Sequence, residues 1–355
     1  MNGYPKTILI FPAGMPGSLA FLERALTRGQ DVIGASSLRH DPARESYPRW
    51  AYLPYVTAPD FDEALRQAIA EFDIGGVFTP NPVVWDYLAR RLGGISPNVT
   101  LVNASPVERA LAPYGRACRF AESTLSEPLT LAASGAARRA LSALEIAALF
   151  HHADNIPGQC DNEKIRALCS LFCHVPAGDV VEIGSLWGKS AFVLAWLARR
   201  HGIGKVLCVD PWSTKHAIQK DLGGRGRLRI EEAFDIFRIN LLPYAGGTVN
   251  YLRLPSARAA AAYRRGRRVV TDAFGATRYA GKIALLHIDG NHDYDNVLAD
   301  MRDWSGLMAQ GGWIVLDDYR WPYGDGPRRV GDEFLRETPT GCAFVMGGAL
   351  FIQTG

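Results

Sequence analysis

Apolar and polar positions alternate along the first part of the chain in short blocks that predict strands followed by helices. Apolar, β-rich runs predict strands at residues 7–11, 31–35, 52–56 and 76–79. Between these runs leucine and alanine recur at helical spacing, which predicts helices at residues 19–28, 61–72 and 83–92. Such alternation is typical of a parallel sheet covered by helices on both faces. We therefore predict an α/β, Rossmann-like N-terminal domain over residues 1–110.

The rest of the chain first loses this alternation and then regains it. Residues 111–160 are rich in alanine and poor in strand patterns, and we predict a helical connector there. Beyond a helix at 162–172, strands are predicted at 180–183, 205–209, 249–252, 283–288, 313–316, 342–346 and 349–353. Gly347-Gly348 separates the last two runs and indicates a hairpin. The pattern predicts a second domain over residues 161–355, an open doubly wound sheet with a reversed strand near its end.

Composition limits the classes of protein to consider. The chain has 355 residues, 48% of them apolar, which is enough for two cores of ordinary size. The net charge of +3 favours neither an anionic nor a cationic partner. No apolar run approaches the roughly 20 residues that span a bilayer, and six scattered cysteines without a secretory pattern lead us to expect a cytoplasmic protein. We expect no nucleic-acid or membrane partner.

The first candidate site follows the predicted strand at 180–183. Gly184 and Gly188 stand in the turn between this strand and the next helix, where glycine lets a ligand approach the backbone. The N-terminus of that helix favours negative charge. Glu182, Ser185 and Ser190 belong to the same turn. The alternative is a glycine-containing turn that binds no ligand.

Asp210, at the end of the next predicted strand, strengthens the case for a ligand. A carboxylate at this point of a doubly wound sheet accepts hydrogen bonds from the ribose hydroxyls of a nucleoside. The turn and Asp210 together predict a nucleoside-binding site. They do not distinguish S-adenosylmethionine from a nicotinamide cofactor.

A second group of polar residues ends two later strands. Asp289 ends one of them, and Asp317 and Asp318 end the next, so the three carboxylates should meet at one edge of the sheet. Clustered carboxylates repel one another unless a proton or a cation neutralises them, and Mg²⁺ prefers oxygen ligands. His292 is placed to act as a general base beside such an ion. The alternative is that acids in this region, such as Asp293, cap the following helix.

With these motifs in place, residues 161–335 resemble the class I S-adenosylmethionine-dependent methyltransferases, and among them the macrocin and mycinamicin sugar O-methyltransferase type. The resemblance implies that Asp289, Asp317 and Asp318 ligate Mg²⁺ and that His292 deprotonates a sugar hydroxyl. It also implies a cofactor site formed by Glu182, Gly184, Ser185, Gly188, Ser190, Asp210 and Asp289. The family's acidic pair can be Glu-Asp where this chain has Asp-Asp, and the loops outside the motifs do not match, so the acceptor is not inherited.

The N-terminal segment, over roughly residues 5–95, resembles the small Rossmann-like domain that precedes ATP-grasp modules. No such module follows, and the turn at residues 12–18 lacks the lysine of a phosphate-binding loop. We expect a non-catalytic domain that serves dimerisation, substrate docking or channel formation, so a homo-oligomer is one alternative.

Three further features have two interpretations each. The glycine-bearing basic segment 215–229 would suit a lid or a solvated insertion, and the arginines of 258–268 would attract an anionic substrate or line a solvated helix face. Trp187, Trp212 and Tyr319 would stack on a ligand or pack in the core. For the chain as a whole we expect an O-methyltransferase that acts on a small hydroxylated molecule. The alternatives are a binding or scaffolding module of weak activity and a metal-free N- or carboxyl-methyltransferase.

Overall fold

The computed structural model describes residues 7–132, 137–217 and 229–355. The chain forms two compact units, of which the first ends at Gly115 and the second begins at Arg116. Residues 116–160, within the region predicted as a connector, supply buried side chains such as Phe120 and Leu149 to the core of the second unit. The predicted domain bounds at residues 110 and 160 stay a prediction.

The first unit is a five-stranded parallel sheet with helices between its strands; the sequence predicts the alternation and the parallel sheet but only four of the strands. Its elements are β1 (Thr7–Ile10), α1 (Pro16–Thr27), β2 (Asp31–Ser36), β3 (Trp50–Tyr52), α2 (Phe61–Phe72), β4 (Ile74–Phe78), α3 (Pro82–Ile95) and β5 (Thr100–Leu101). The strand order is β3-β2-β1-β4-β5. The strand predicted at 52–56 was placed too late: β3 pairs with β2 through Trp50, Ala51 and Tyr52, and the pairing ends with the Leu53 N–H, which donates to Ser36.

The second unit is built around a seven-stranded mixed sheet. Its helices are α4 (Pro106–Ser126, which begins in the first unit), α5 (Ala143–Asp154), α6 (Asn162–Leu171), α7 (Lys189–His201), α8 (Thr214–Ala217), α9 (Ile230–Leu241), α10 (Ser256–Arg265), α11 (Tyr294–Trp304) and α12 (Gly326–Glu337). Its strands are β6 (Asp179–Ile183), β7 (Val206–Val209), β8 (Val249–Leu252), β9 (Arg268–Thr271), β10 (Gly275–Arg278), β11 (Ile283–Ile288), β12 (Met308–Leu316), β13 (Thr340–Met346) and β14 (Ala349–Thr354).

The strand order of this sheet is β13-β14-β12-β11-β6-β7-β8. The pairs from β12 to β8 are parallel, and β14 runs antiparallel between β12 and β13. The predicted doubly wound sheet with a reversed strand near the end is therefore confirmed. The small antiparallel hairpin of β9 and β10 was not predicted. No helix in the described part of the chain is both long and apolar enough to cross a bilayer.

Alternation along the central strands divides their side chains between two cores. Val180 and Leu285 enter the core on one face, together with side chains of α5, α6 and α7, whereas Val181 and Leu286 enter the core on the other. A strand side chain two positions further along points to the same face. Polar residues at the ends of these strands are thereby assigned to a face by the apolar residues that precede them.

Candidate active site

Three polar side chains lie on one face of the sheet where neighbouring strands end. Glu182 in β6 pairs in register with His287 in β11, and Asp317 follows β12. Their exposed fractions are 0%, 1% and 6%, so all three are inside the protein. Glu182 Oε1 lies 3.2 Å from His287 Nδ1, and His287 Nε2 lies 3.6 Å from Asp317 Oδ2. A buried polar row therefore crosses three adjacent strands beneath the edge where ligands bind in such sheets.

Lys164 extends this row, because its ammonium contacts the carboxylate of Asp317. It comes from the first turn of α6 and is 2% exposed. The sequence analysis missed this residue, although Lys164 shares the buried side of α6 with Ile165 and Leu168. Burial lowers the pKa of an ammonium, but the nearby carboxylate of Asp317 outweighs that effect and holds the pKa of Lys164 well above its ordinary value. The lysine is therefore charged.

A second group lies next to the row and is more open. His292 Nε2 is 3.7 Å from Asp289 Oδ1 and 3.0 Å from Asp318 Oδ2. One ligand atom from each of these three residues lies within 4.8 Å of the others, as do atoms of His287, Asp289 and Asp317. The side chains of Asp289 and Asp318 are each 25% exposed, which leaves them accessible from solvent. The structure thus brings Asp289, His292, Asp317 and Asp318 together, as the sequence predicts.

The electrostatics of the open group suit a cation. Burial raises the pKa of Asp289, and the neighbouring carboxylate of Asp317 raises it further, because two negative charges at this distance disfavour each other. Burial lowers the pKa of His292, but the carboxylates of Asp289 and Asp318 outweigh this and raise it to about 10. Among the described residues, His292 Nδ1 has no hydrogen-bond partner, whereas Nε2 faces the two carboxylates. Carboxylate oxygens beside an unsatisfied imidazole are a donor set that fits a divalent ion.

The turn after β6 is shaped by contacts within the protein. Gly184 has a φ of +86°, and a Cβ there would lie 2.0 Å from the carbonyl oxygen of Asp289. Gly188 has a φ of +88°, and a Cβ there would lie 2.6 Å from Leu241. Both glycines are required by the fold itself, whatever else the turn binds. Ser185 Oγ donates to Glu182 at 2.5 Å, and Ser190 is buried in the first turn of α7.

Asp210, at the end of β7, organises the neighbouring loop. Its Oδ2 accepts from the backbone N–H of Leu186 at 3.0 Å, and its Oδ1 accepts from that of Trp212 at 2.6 Å. Leu186 and Trp212 both have φ near +40°, a backbone conformation that residues other than glycine rarely adopt. A carboxylate offers about four acceptor positions, so these contacts leave capacity for a ribose hydroxyl.

The remaining candidates divide between packing and the site. Trp212 is 2% exposed and packs against Phe234 and Phe237, so it belongs to the core. The Tyr319 hydroxyl donates to Asp332 at 2.6 Å. Residues 218–228, most of the segment for which a lid was one interpretation, lie outside the described residues. Trp321, which the sequence analysis did not single out, packs edge-on against His292 with ring centroids 4.8 Å apart.

Two cavities of ligand size lie among the described residues, in different units. A cavity of about 500 Å³ lies at the N-terminus of α6, between residues 158–163 and Lys189. A cavity of about 560 Å³ in the first unit lies beyond the ends of β1, β2 and β4 and is lined mainly by apolar side chains, with Asp41 its one charged group. Both lie within the size range of small-molecule sites.

The chain is similar to one protein-family model and to several solved structures. Residues 181–319 match the family model described as a methyltransferase domain. No curated protein sequence matches the chain. Solved structures similar to the chain include the O-methyltransferase NovP, with 15% identity and a TM-score of 0.37 over 68% of this chain and 97% of that one. The calicheamicin methyltransferase CalS11 has 13% identity and a TM-score of 0.41 over 72% of this chain and 95% of that one.

A third similar structure is the mycinamycin-pathway methyltransferase MycE in complex with Mg and SAH. It has 13% identity and a TM-score of 0.31 over 50% of this chain and 46% of that one. Identities and TM-scores this low do not support transferring a reaction from these proteins, so the chemistry of this chain is inferred from its own residues. The matched span 181–319 begins in β6 and ends just after β12, so it contains the turn at Gly184, Asp210 and the group at His292. Residues 181–319 are therefore a methyltransferase domain.

Proposed function

We propose that the second unit is an O-methyltransferase whose acceptor is a small hydroxylated molecule, with a sugar or sugar-bearing metabolite as the favoured class. The observation that carries the proposal is the position of His292 between Asp289 and Asp318 at the ligand-binding edge of the sheet. A hydroxyl oxygen must lose its proton to attack, and a histidine held by carboxylates supplies a base for that step. The sugar class rests on the resemblance of the sequence motifs.

A divalent ion such as Mg²⁺ would be held at the same place. The candidate ligands are Asp289, Asp317 and Asp318, of which Asp289 and Asp318 are the more exposed. When bound, such an ion lowers the pKa of an acceptor hydroxyl and fixes its direction.

The chain's own residues supply the other parts of the reaction. Asp210 would bind the ribose of the methyl donor through its remaining acceptor capacity. The acceptor oxygen attacks the methyl carbon, the bond from that carbon to sulfur breaks, and its electron pair stays on sulfur as S-adenosylhomocysteine. His292 receives the hydroxyl proton at Nε2, where the carboxylates of Asp289 and Asp318 stabilise the resulting imidazolium. Alignment of donor and acceptor accounts for much of the rate, because the sulfonium is already a good leaving group.

The first unit has a supporting role in this proposal. It would serve substrate docking or dimerisation, and a homo-oligomer would form through it. Its cavity beyond β1, β2 and β4 is a place where an acceptor could be bound before transfer.

The test is methyl transfer from labelled S-adenosylmethionine to a panel of sugars and matched amino sugars, with and without a chelator. We expect transfer to hydroxyl groups that falls at least tenfold on chelation and returns with Mg²⁺. Binding of S-adenosylhomocysteine should stay within twofold. Asp289→Asn should reproduce the loss, whereas Asp325→Asn, at an exposed acid before α12, should not. Turnover unaffected by chelation would remove the metal, and transfer to amines alone would overturn O-methylation.

A further inference from the structure

Lys164 places a permanent positive charge inside the acidic group. We propose that Lys164 is a built-in cation of this centre, which neutralises Asp317, so that a divalent ion is held by Asp289 and Asp318 and not by all three acids. This inference rests on the proposed function and deepens it, because it assigns the ligands of the ion and a positioning residue for them.

The backbone of Lys164 is fixed on two sides. Asp161 caps α6, and its Oδ1 accepts from the Lys164 N–H at 2.8 Å. The turn between β13 and β14 presses on the same point: a Cβ on Gly347 would lie 2.4 Å from the backbone nitrogen of Lys164. The start of α6 is thus held between its cap and this turn, which directs the lysine side chain into the protein.

The buried charge of Lys164 is stable only because the charge of Asp317 is next to it. An ammonium that is 2% exposed is stable only when it is paired, and its direct partner is Asp317 Oδ2. The same oxygen lies 3.6 Å from His287 Nε2. A divalent ion bound to that oxygen would stand beside an ammonium, and the two positive charges would repel each other strongly in this buried place.

Asp289 is shared between the two parts of the centre. Its Oδ2 lies 3.9 Å from Lys164 Nζ, whereas its Oδ1 lies 3.7 Å from His292 Nε2. One oxygen therefore faces the built-in cation, and the other faces the open side together with Asp318. With His292 neutral, as its role as a base requires, the three carboxylates and the ammonium leave two net negative charges, which one divalent ion balances.

The experiment measures Mn²⁺ binding to the full-length protein by electron paramagnetic resonance at constant pH, without acceptor. It compares the wild type with Lys164→Met, Asp317→Asn, the double variant of both and Asp289→Asn. We expect Lys164→Met to bind Mn²⁺ at least tenfold more tightly, because a neighbouring positive charge is gone. Asp317→Asn should bind at least tenfold more weakly, because it leaves the lysine charge unbalanced. The double variant should bind within threefold of the wild type.

The double variant decides the inference. It removes both charges of the pair, so it tests the ligand assignment even if Lys164→Met alone fails to fold. If Asp317 is a ligand of the ion, the double variant loses affinity at least tenfold, and the inference is overturned. Lys205→Met, at an exposed lysine before β7, is the matched control and should leave binding unchanged.

Failure of the metal proposal gives a different pattern. Wild-type protein that binds no Mn²⁺, together with Lys164→Met that gains binding, would refute the metal in catalysis and support the role of Lys164. Absence of binding in both proteins would overturn both. Equal binding by the wild type and Asp289→Asn would place the ion elsewhere and overturn both as well.

Discussion

Glu182 and His287 face each other from neighbouring parallel strands, with Oε1 3.2 Å from Nδ1 and almost no exposed surface on either side chain. Glu182 also accepts from Ser185 Oγ through its other oxygen, so both of its oxygens have partners within the protein. Its contribution to the site is therefore exerted through Ser185 and His287, and a direct contact with the methyl donor is not needed to explain its position.

Glu182→Ala should lower the free energy of unfolding by about 2–4 kcal/mol, because it leaves two buried polar groups without partners. Ser185→Ala removes only one hydrogen bond and should cost about 1 kcal/mol. Urea-induced unfolding followed by circular dichroism measures both values. Equal costs for the two variants would mean that the contact with His287 adds no stability.

Asp210→Ala should weaken binding of S-adenosylhomocysteine at least tenfold, measured by calorimetry. The loss has two sources: the ribose hydroxyls lose their acceptor, and the loop at Leu186 and Trp212 loses the carboxylate that holds its backbone. Asp325→Ala, at an exposed acid before α12, serves as the control. An affinity unchanged by Asp210→Ala would exclude this strand end as the cofactor site.

His292→Ala should reduce the rate of methyl transfer at neutral pH by about 10²–10⁴-fold, the usual contribution of a general base. In ion-free protein the carboxylates of Asp289 and Asp318 raise the pKa of His292 to about 10, so the ring is protonated and cannot accept a proton until the pH approaches that value. Residual activity without divalent ions should therefore rise with pH toward 10. The His292→Ala variant should lack this rise, and a pH profile identical to that of the wild type would move the base elsewhere.

Asp300→Asn should stabilise the protein at alkaline pH. Burial in α11 raises the pKa of Asp300 to about 6, while hydrogen bonding from Ser256 opposes that effect. A raised pKa means that folding favours the protonated acid, so its contribution to stability is present below pH 4 and is lost as the pH rises through 6. We expect the variant to gain about 1–3 kcal/mol over the wild type at pH 8 and nothing at pH 4.

Thermal unfolding at the two pH values measures this difference. The matched variant is Asp295→Asn, at an exposed acid in the first turn of α11 that does not contribute to the raised pKa of Asp300. A gain that is the same at pH 4 and pH 8 would show that ionisation of Asp300 is not its cause.

Sequence patterns predicted most of the fold because buried strands are written as continuous apolar runs. The strands β6, β7, β8 and β11 have this form apart from isolated polar residues, and each was placed within one residue at either end. Strand β12 begins at Met308, five residues before its predicted start, because its first half contains Gln310 and two glycines. The hairpin of β9 and β10 was missed because arginine and exposed positions break its pattern. Strand β3 was placed too late because the apolar residues after Tyr52 lie beyond the end of its pairing.

Part of the candidate site was also predictable from the sequence, and part was not. Asp289, Asp317 and Asp318 were predicted to meet because the ends of parallel strands meet, which needs no knowledge of side-chain packing. Lys164 was missed because its partner lies 153 positions away, and a lysine in a helix is ordinarily solvated. Its place among Ile165 and Leu168 was the available signal.

The close approach of Gly184 to the carbonyl of Asp289 holds the turn after β6 at a fixed position relative to the end of β11. The backbone N–H of Asp289 also donates to Ile183 at 2.8 Å, so neither chain segment can shift without the other. The distance between the donor's binding turn and the first acid of the centre is thereby fixed by main-chain atoms. Changes of acceptor during evolution would then leave this spacing untouched and act on the side chains around it.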